Sequence, residues 1–395
     1  MIDTLNMFTL LGVTLLLGYI CSIIFKKTHI PDVIWLMLFG FFIGPMFNLV
    51  DSALFITAAP LLASFALMII LFDAGLEMNL YSVIKQFPRG ILLSIVGISL
   101  TIISIAAVST ILFNFDLVRA LLLGAIIGGP SSTIVVSIMK KLDIKEDVRL
   151  ILDLESIFTD PIDVVLTIAL LQIYSSTMPL YSIINSITAA FSIGAIAGFL
   201  GGIVWMLFLN KIKDGLDYML TIAVLLLLYT FVESVGGSGA VAALMFGLML
   251  GSYKIFSKFL KLKGAVVMPS LKKFHEEITF FVKSFFFVTM GIIVSINTNF
   301  ILQGVIITII IALTRIVAVA ISTFKMNLTS LETNLMRVNI PQGLATAIMA
   351  YMPMVYGIKD ADVFLNIAFI VILTTIVYTT VGVKFLYGRN EGKKK

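Results

Sequence analysis

Thirteen mostly apolar stretches run through the chain, at 5–25, 31–50, 59–83, 90–113, 118–139, 148–172, 180–209, 218–234, 238–254, 277–296, 300–323, 333–356 and 362–386. Each offers close to the ~20 residues a helix needs to cross the hydrocarbon core of a bilayer. Barrel strands are shorter and alternate in polarity, so they are no serious alternative. The pattern predicts an all-α polytopic membrane protein of about 13 transmembrane helices. Only 12% of the 395 residues are charged and 60% are apolar, whereas soluble domains carry about 25% charged residues. The segment 254–277 is basic and less apolar, and reads as a helix-bearing surface connection.

Charge tests the count. Of the 27 Lys and Arg, Lys283, Arg315 and Arg337 fall well inside spans, and Arg119 and Lys359 lie at connections after even-numbered spans. The other 22 (27 less those three and two) sit at the connections after odd-numbered spans, span ends included, or at the C-terminus. One miscounted span midway would destroy this asymmetry. The positive-inside rule then places the C-terminus in the cytoplasm and the N-terminus outside, in a cytoplasmic (inner) cell membrane. The first run has no basic n-region and no small-residue cleavage site, so it reads as a retained helix and not a signal peptide. We expect a single transmembrane transporter domain over 1–395, with no soluble regulatory domain after the last span.

Thirteen spans divide as six, one and six. The plan is two inverted six-helix repeats, about 1–176 and 218–387, joined by a linking helix at 180–209, with interrupted helices crossing at the midplane. The lone Cys21 excludes a disulfide framework within the chain. His29 and His275 are too few for a His-based metal site, and read as solvated loop residues or, less simply, pH sensors. The net charge of +5 belongs to the connections between spans, so nucleic acid is not implied. Nor is a cofactor, or any metal beyond a transported monovalent cation.

A charge near the bilayer centre costs at least ~2.5–3.5 kcal/mol on insertion scales, which makes it a functional candidate. The sixth span carries Asp153, Glu155, Asp160 and Asp163. At 100° per residue, Asp153, Ser156, Asp160 and Asp163 share one face and Glu155 points nearly opposite. Asp160 lies at the midpoint, between Thr159 and the helix-disrupting Pro161. Glu155 falls roughly 7 Å to the cytoplasmic side of its span's centre, and Arg315 in the eleventh span roughly 6 Å, by the helical rise. Neither charge is stable unpaired in lipid, so they form a structural ion pair, unless one lines an ion path without the other.

Two spans look broken at that depth. The fifth contains Gly128, Gly129 and Pro130 followed by Ser131, Ser132 and Thr133, and the twelfth contains Pro341, Gln342 and Gly343. Unwound backbone survives in a membrane only where it faces protein or a watered cavity, and half-helix ends then offer dipoles and free carbonyls to an ion. One such break reads as an ordinary kink. Two, in equivalent spans of two halves, point to a transporter. Asp73, near the middle of the third span, either completes a cation cage or caps a buried network, and Glu77 lies nearer the cytoplasmic mouth. Lys283 in the tenth span either snorkels to the interface or acts as charge partner for Asp160 or Asp163, and Lys283 and Asp163 are both candidates for a second proton carrier.

Taken in order, these segments resemble the monovalent cation:proton antiporters, most closely the sodium/proton exchangers of NhaP type. The resemblance covers nearly the whole chain. Its most specific element is Glu155 to Pro161, Glu-Ser-Ile-Phe-Thr-Asp-Pro, similar to the family's Glu-Ser-x-Phe-Asn-Asp-Pro. The resemblance implies that Asp160 carries the ion and the proton. It implies Thr159, Ser156, Asp73 and the fifth-span backbone at Pro130 and Ser131 as co-ligands, and a homodimer through the early spans. Three departures stand out: Thr159 for the family's Asn, Pro130-Ser131-Ser132 for a Thr-Asp-Pro, and Pro341-Gln342-Gly343 for a Pro-Arg-Gly.

One midplane carboxylate holds either a proton or a small cation, which gives exchange by alternating access if only an occupied site crosses. Hard oxygen donors suit Na+ or Li+, with K+ as the alternative, in one-for-one electroneutral exchange. The rivals are a potassium efflux antiporter, an ion channel, and a membrane-embedded hydrolase that would need a Ser-His or metal arrangement absent from the spans.

Overall fold

Backbone N–H and C=O groups in hydrocarbon find no water, so each apolar run must satisfy them internally as a helix. The computed structural model describes residues 4–28, 31–50, 52–77, 80–139, 142, 144–175, 180–209, 217–253, 267–295 and 297–391. Among these residues there are helices and no strand. His29, and 254–266 of the basic connection, lie outside the described residues, as do the side chains of Glu77 and His275.

The first four spans become α1 (Thr4–Thr28), α2 (Asp32–Phe41) with a π-helical turn at Phe42–Met46, α3 (Ser52–Glu77) and α4 (Leu80–Leu112). The fifth is split into α5 (Leu117–Ile126) and α6 (Ser132–Met139), and the sixth is α7 (Glu146–Ser175). Then come α8 (Leu180–Leu209), α9 (Asp217–Ser234), α10 (Gly239–Gly251), α11 (Val267–Ile293) and α12 (Thr298–Ser322). The twelfth span is split into α13 (Ser330–Val338) and α14 (Leu344–Val355), and the last is α15 (Asp362–Glu391). Five of the described helices are by themselves long and apolar enough to cross a membrane: 88–112, 146–174, 188–209, 298–322 and 362–387. Large apolar side chains stay exposed, Leu61 at 77% and Ile111 at 75%, as a lipid-facing surface requires.

The helices group into two compact units that cut across chain order. One comprises 1–63, 86–175 and 283–395, the other 64–85 and 176–282. The inverted repeats expected above concern symmetry along the chain, whereas these units concern packing, and each takes segments from both sequence halves. The second unit centres on Phe72, Trp205, Phe246 and Leu250, with the Trp205 indole N–H donating to the Thr221 hydroxyl at 2.9 Å. In the first unit α2 and the end of α11 touch backbone to backbone. A Cβ on Gly40 would stand 2.1 Å from the Val288 carbonyl oxygen, and one on Gly291 2.3 Å from that of Met37. Only glycine permits this approach.

Candidate functional site: two broken helices against the acidic helix

All the geometry in this subsection belongs to the first unit, unless stated. α5 stops at Ile126 because Gly128 and Gly129 carry little helix propensity and Pro130 offers no N–H. α13 opens with a capping box between Thr329 and Glu332 and stops at Val338, three residues before Pro341. The two breaks meet: the Ser131 N–H donates to the Pro341 carbonyl at 2.8 Å. Gly343 is part of the contact, since a Cβ there would lie 2.2 Å from Ser131 Oγ. The Gln342 amide reaches across to the freed Ile127 carbonyl at 3.4 Å, and its own oxygen accepts from the Thr346 hydroxyl at 2.7 Å.

Buried backbone donors must be paired, and α15 pairs those of the second break. Thr379 Oγ1 accepts from the Ile340 N–H at 3.2 Å while donating to the Val338 carbonyl at 2.9 Å. One turn away, Thr375 Oγ1 accepts from the Gln342 N–H at 3.1 Å. Between them sits Pro341, with no N–H to satisfy.

Glu155, matched to Arg315 in depth by the sequence, is brought against it. Arg315 grips both carboxylate oxygens, Nη1 on Oε1 and Nη2 on Oε2 at 2.8 Å, and its Nε donates to the Met336 carbonyl at 2.9 Å. Both side chains are buried. A two-pronged, charge-assisted contact of this kind is strong and directional. It ties α7 to α12, and through Met336 to the half-helix that precedes the second break.

Asp160 and Asp163 are buried on α7, which stays helical through Pro161. Thr159 joins this helix to the first break, its hydroxyl donating to the carbonyls of Ser156 at 3.0 Å and Pro130 at 3.2 Å. Asp163 lies over the break itself, its Oδ1 2.2 Å from where a Gly128 Cβ would stand. A cavity of about 330 Å³, counting its open mouth, is lined by Gly128, Gly129, Pro130, Thr159, Glu155 and Gln342, among others. Gly129 packs under Thr159, where a Cβ would lie 2.3 Å from the Thr159 Cβ.

Some candidates are placed differently from the sequence expectation. Ser156 does not line this cavity, and its hydroxyl donates to the Asp153 carbonyl of its own helix at 3.1 Å. Ser132 supplies the first residue of α6. Asp73 is half-buried on the part of α3 that belongs to the second unit. Lys283 is corrected outright: its Nζ pairs with Asp32 at 2.8 Å instead of reaching Asp160 or Asp163. Asp32 opens α2 directly after Pro31, which fixes its carboxylate beside α11. Sequence reasoning missed Asp32, Thr375 and Thr379. The available signals were an acid at the first position of a membrane span and paired hydroxyls one turn apart in an apolar helix.

Comparison with known proteins agrees with this architecture. Residues 12–387 match the family described as "Sodium/hydrogen exchanger, transmembrane". The K(+)/H(+) antiporter NhaP2 of Shewanella baltica (strain OS223) is 26% identical over 391 residues, covering 95% of this chain and 65% of that protein. The chain thus spans just under two-thirds of the length of this curated relative. The "Probable Na(+)/H(+) antiporter 2" of Methanocaldococcus jannaschii is 28% identical over 314 residues, covering 72% and 71%. In fold, the chain superposes on the sodium proton antiporter MjNhaP1 from M. jannaschii at pH 8, with a TM-score of 0.84 at 18% identity over 97% and 98% of the two chains. With the family's pattern matched over nearly its whole length, the chain belongs to the sodium/hydrogen exchanger family.

Proposed function

We propose that this protein is a secondary antiporter exchanging Na+ or Li+ for H+, with Asp160 as the shared carrier of cation and proton. The observation that carries the reading is the direct meeting of two broken helices, Ser131 N–H on the Pro341 carbonyl, beside a helix bearing buried Asp160 and Asp163. Irregular backbone inside a membrane is tolerated only where it is buried in protein or lines a watered cavity. Here one break lines a cavity with Thr159, whose hydroxyl is held on the Pro130 carbonyl. Hydroxyl, carbonyl and carboxylate oxygens are hard donors suited to small monovalent cations.

The mechanism follows from competition. A proton and a bound cation compete for the same carboxylate oxygens, so Asp160 holds one or the other. If only an occupied Asp160 crosses between inward- and outward-open states, the two fluxes are obligatorily coupled. One carrier acid beside the neutral Thr159 gives one cation for one proton. The pairing of Lys283 with Asp32, away from Asp160 and Asp163, supports that ratio. Pro130 and Ser131 contribute backbone, and Asp73 is the candidate acid of the second unit. In this reading the protein is multi-pass in the cytoplasmic membrane, N-terminus outside and C-terminus inside, surrounded by lipid and paired as a homodimer.

A K+/H+ reading has one specific support, since the Shewanella baltica relative carries a K(+)/H(+) name. Proteoliposomes with a trapped pH dye, given Na+, Li+ and K+ in turn, separate the two. Na+ and Li+ should each discharge a preset pH gradient. Response to K+ alone establishes the second reading, and response to none removes both.

A further inference from the structure

The Asp163 carboxyl is buried, and its Oδ1 has no hydrogen-bond partner among the described residues. A buried carboxylate oxygen left without a donor is costly, so a native structure that keeps one has a use for it. Its surroundings are built for it. Oδ1 rests over the Gly128 Cα, in space that the Cβ of any other residue would occupy at 2.2 Å from that oxygen. The Gly129 N–H faces the same carboxyl from the unwound segment. Gly128, Gly129 and Pro130 are also the wall of the cavity. Asp160 lies one turn earlier on the same face of α7, at the separation that brings two side chains together.

We propose that Asp163 is a second acidic ligand of the transported cation, seated over the break by Gly128, with Oδ1 as the ligating atom. The proposal rests on Asp160 as carrier and extends that site by one turn across the break. It assigns Asp163 a task in holding the cation and leaves proton exchange to Asp160. Gly128 becomes a positioning residue, because it alone leaves room for the carboxyl.

The test uses the full chain in proteoliposomes, reading the apparent KM for Na+ and K+ and the rate at saturating cation. Asp163→Leu removes both oxygens and should raise the cation KM about tenfold or more, as loss of a charge-assisted ligand implies. Asp163→Asn keeps one oxygen and should raise it less, with the saturated rate largely retained in both variants. Gly128→Ala should raise KM by displacing the carboxyl, and adding Asp163→Leu to it should bring no further rise. Should Asp163→Leu fail to fold, Asp163→Asn decides alone. In detergent, the Na+ concentration giving half-maximal thermal stabilisation must then move upward. A structural role would lower the melting temperature and leave KM at the wild-type value, which overturns the proposal. Additive effects of Gly128→Ala and Asp163→Leu overturn it equally. Failure here is distinguishable from failure of the wider reading, which would show as exchange persisting without the Asp160 carboxyl.

Discussion

Glu155 and Asp163 are two turns apart on α7 and equally hidden from solvent, yet their surroundings differ. Glu155 has each oxygen gripped by a guanidinium nitrogen of Arg315. Asp163 has one oxygen with no hydrogen-bond partner among the described residues and lies over a glycine at the mouth of a broken helix. A carboxylate saturated by a fixed cation is a structural charge, since releasing Arg315 would strand two ions in a low-dielectric interior. A carboxylate left incompletely paired can accept a transient one. On the function proposed above, the same helix carries a permanent ion pair at Glu155 and, a turn or two further on, an exchangeable one.

The comparison breaks first if the Glu155 side is not structural. Glu155→Gln or Arg315→Met should lower stability by about 3–5 kcal/mol, the usual cost of stranding one member of a buried pair. The double variant Glu155→Gln/Arg315→Met should recover part of that loss in a thermal melt. Double-variant losses equal to the sum of the singles would show that the pair contributes nothing as a pair.

A smaller effect is expected at the second break. Thr375→Val leaves the buried Gln342 N–H without its acceptor, a cost of about 1–3 kcal/mol, whereas in Thr379→Val the Ile340 N–H keeps its 3.1 Å bond to the Val338 carbonyl and the cost is smaller. Each should lower the melting temperature, and both should slow exchange, because the extended segment at 339–343 loses its register against α15. Thermal melts paired with dye assays check this, and unchanged rates in folded Thr379→Val would remove the break from the mechanism.

Smallest in its effect on exchange is the pair at the start of α2. Lys283 and Asp32 are 16% and 13% exposed, so Lys283→Met should cost more than the ~1 kcal/mol ceiling of exposed pairs and less than the ~3 kcal/mol floor of buried ones. Exchange should remain free of net current in this variant. A sustained cation-driven current on a solid-supported membrane in the wild type, abolished by Lys283→Gln, would contradict one-for-one exchange.

Much of this arrangement is legible in the amino-acid sequence, and for definite reasons. Helix spans follow from hydrocarbon thickness, and both breaks follow from glycine and proline where a helix should continue. Glu155 and Arg315 could be matched because the bilayer supplies a common depth axis, which turns sequence position into height. Lys283 shows the limit of that axis. Depth alone left Asp160 and Asp163 available to it, whereas lateral packing through Gly40 and Gly291 sets α11 against α2 and hands Lys283 to Asp32. Thr375 and Thr379 were hidden for another reason. A hydroxyl in an apolar helix ordinarily bonds its own backbone, as Thr375 does to the Val371 carbonyl at 2.7 Å, and two threonines one turn apart do not say which neighbour their remaining lone pairs serve.

The central claim is that Asp160 carries both ions. Asp160→Asn preserves volume and hydrogen bonding while removing the titratable proton and the anionic ligand. Reconstituted into proteoliposomes, it should remain folded and be at least as heat-stable as the wild type, because a buried charge has been neutralised. Cation-dependent proton movement should be absent at every pH tested, with Na+, Li+ and K+ alike. A folded Asp160→Asn protein that exchanges cations for protons at near wild-type rate would contradict the account.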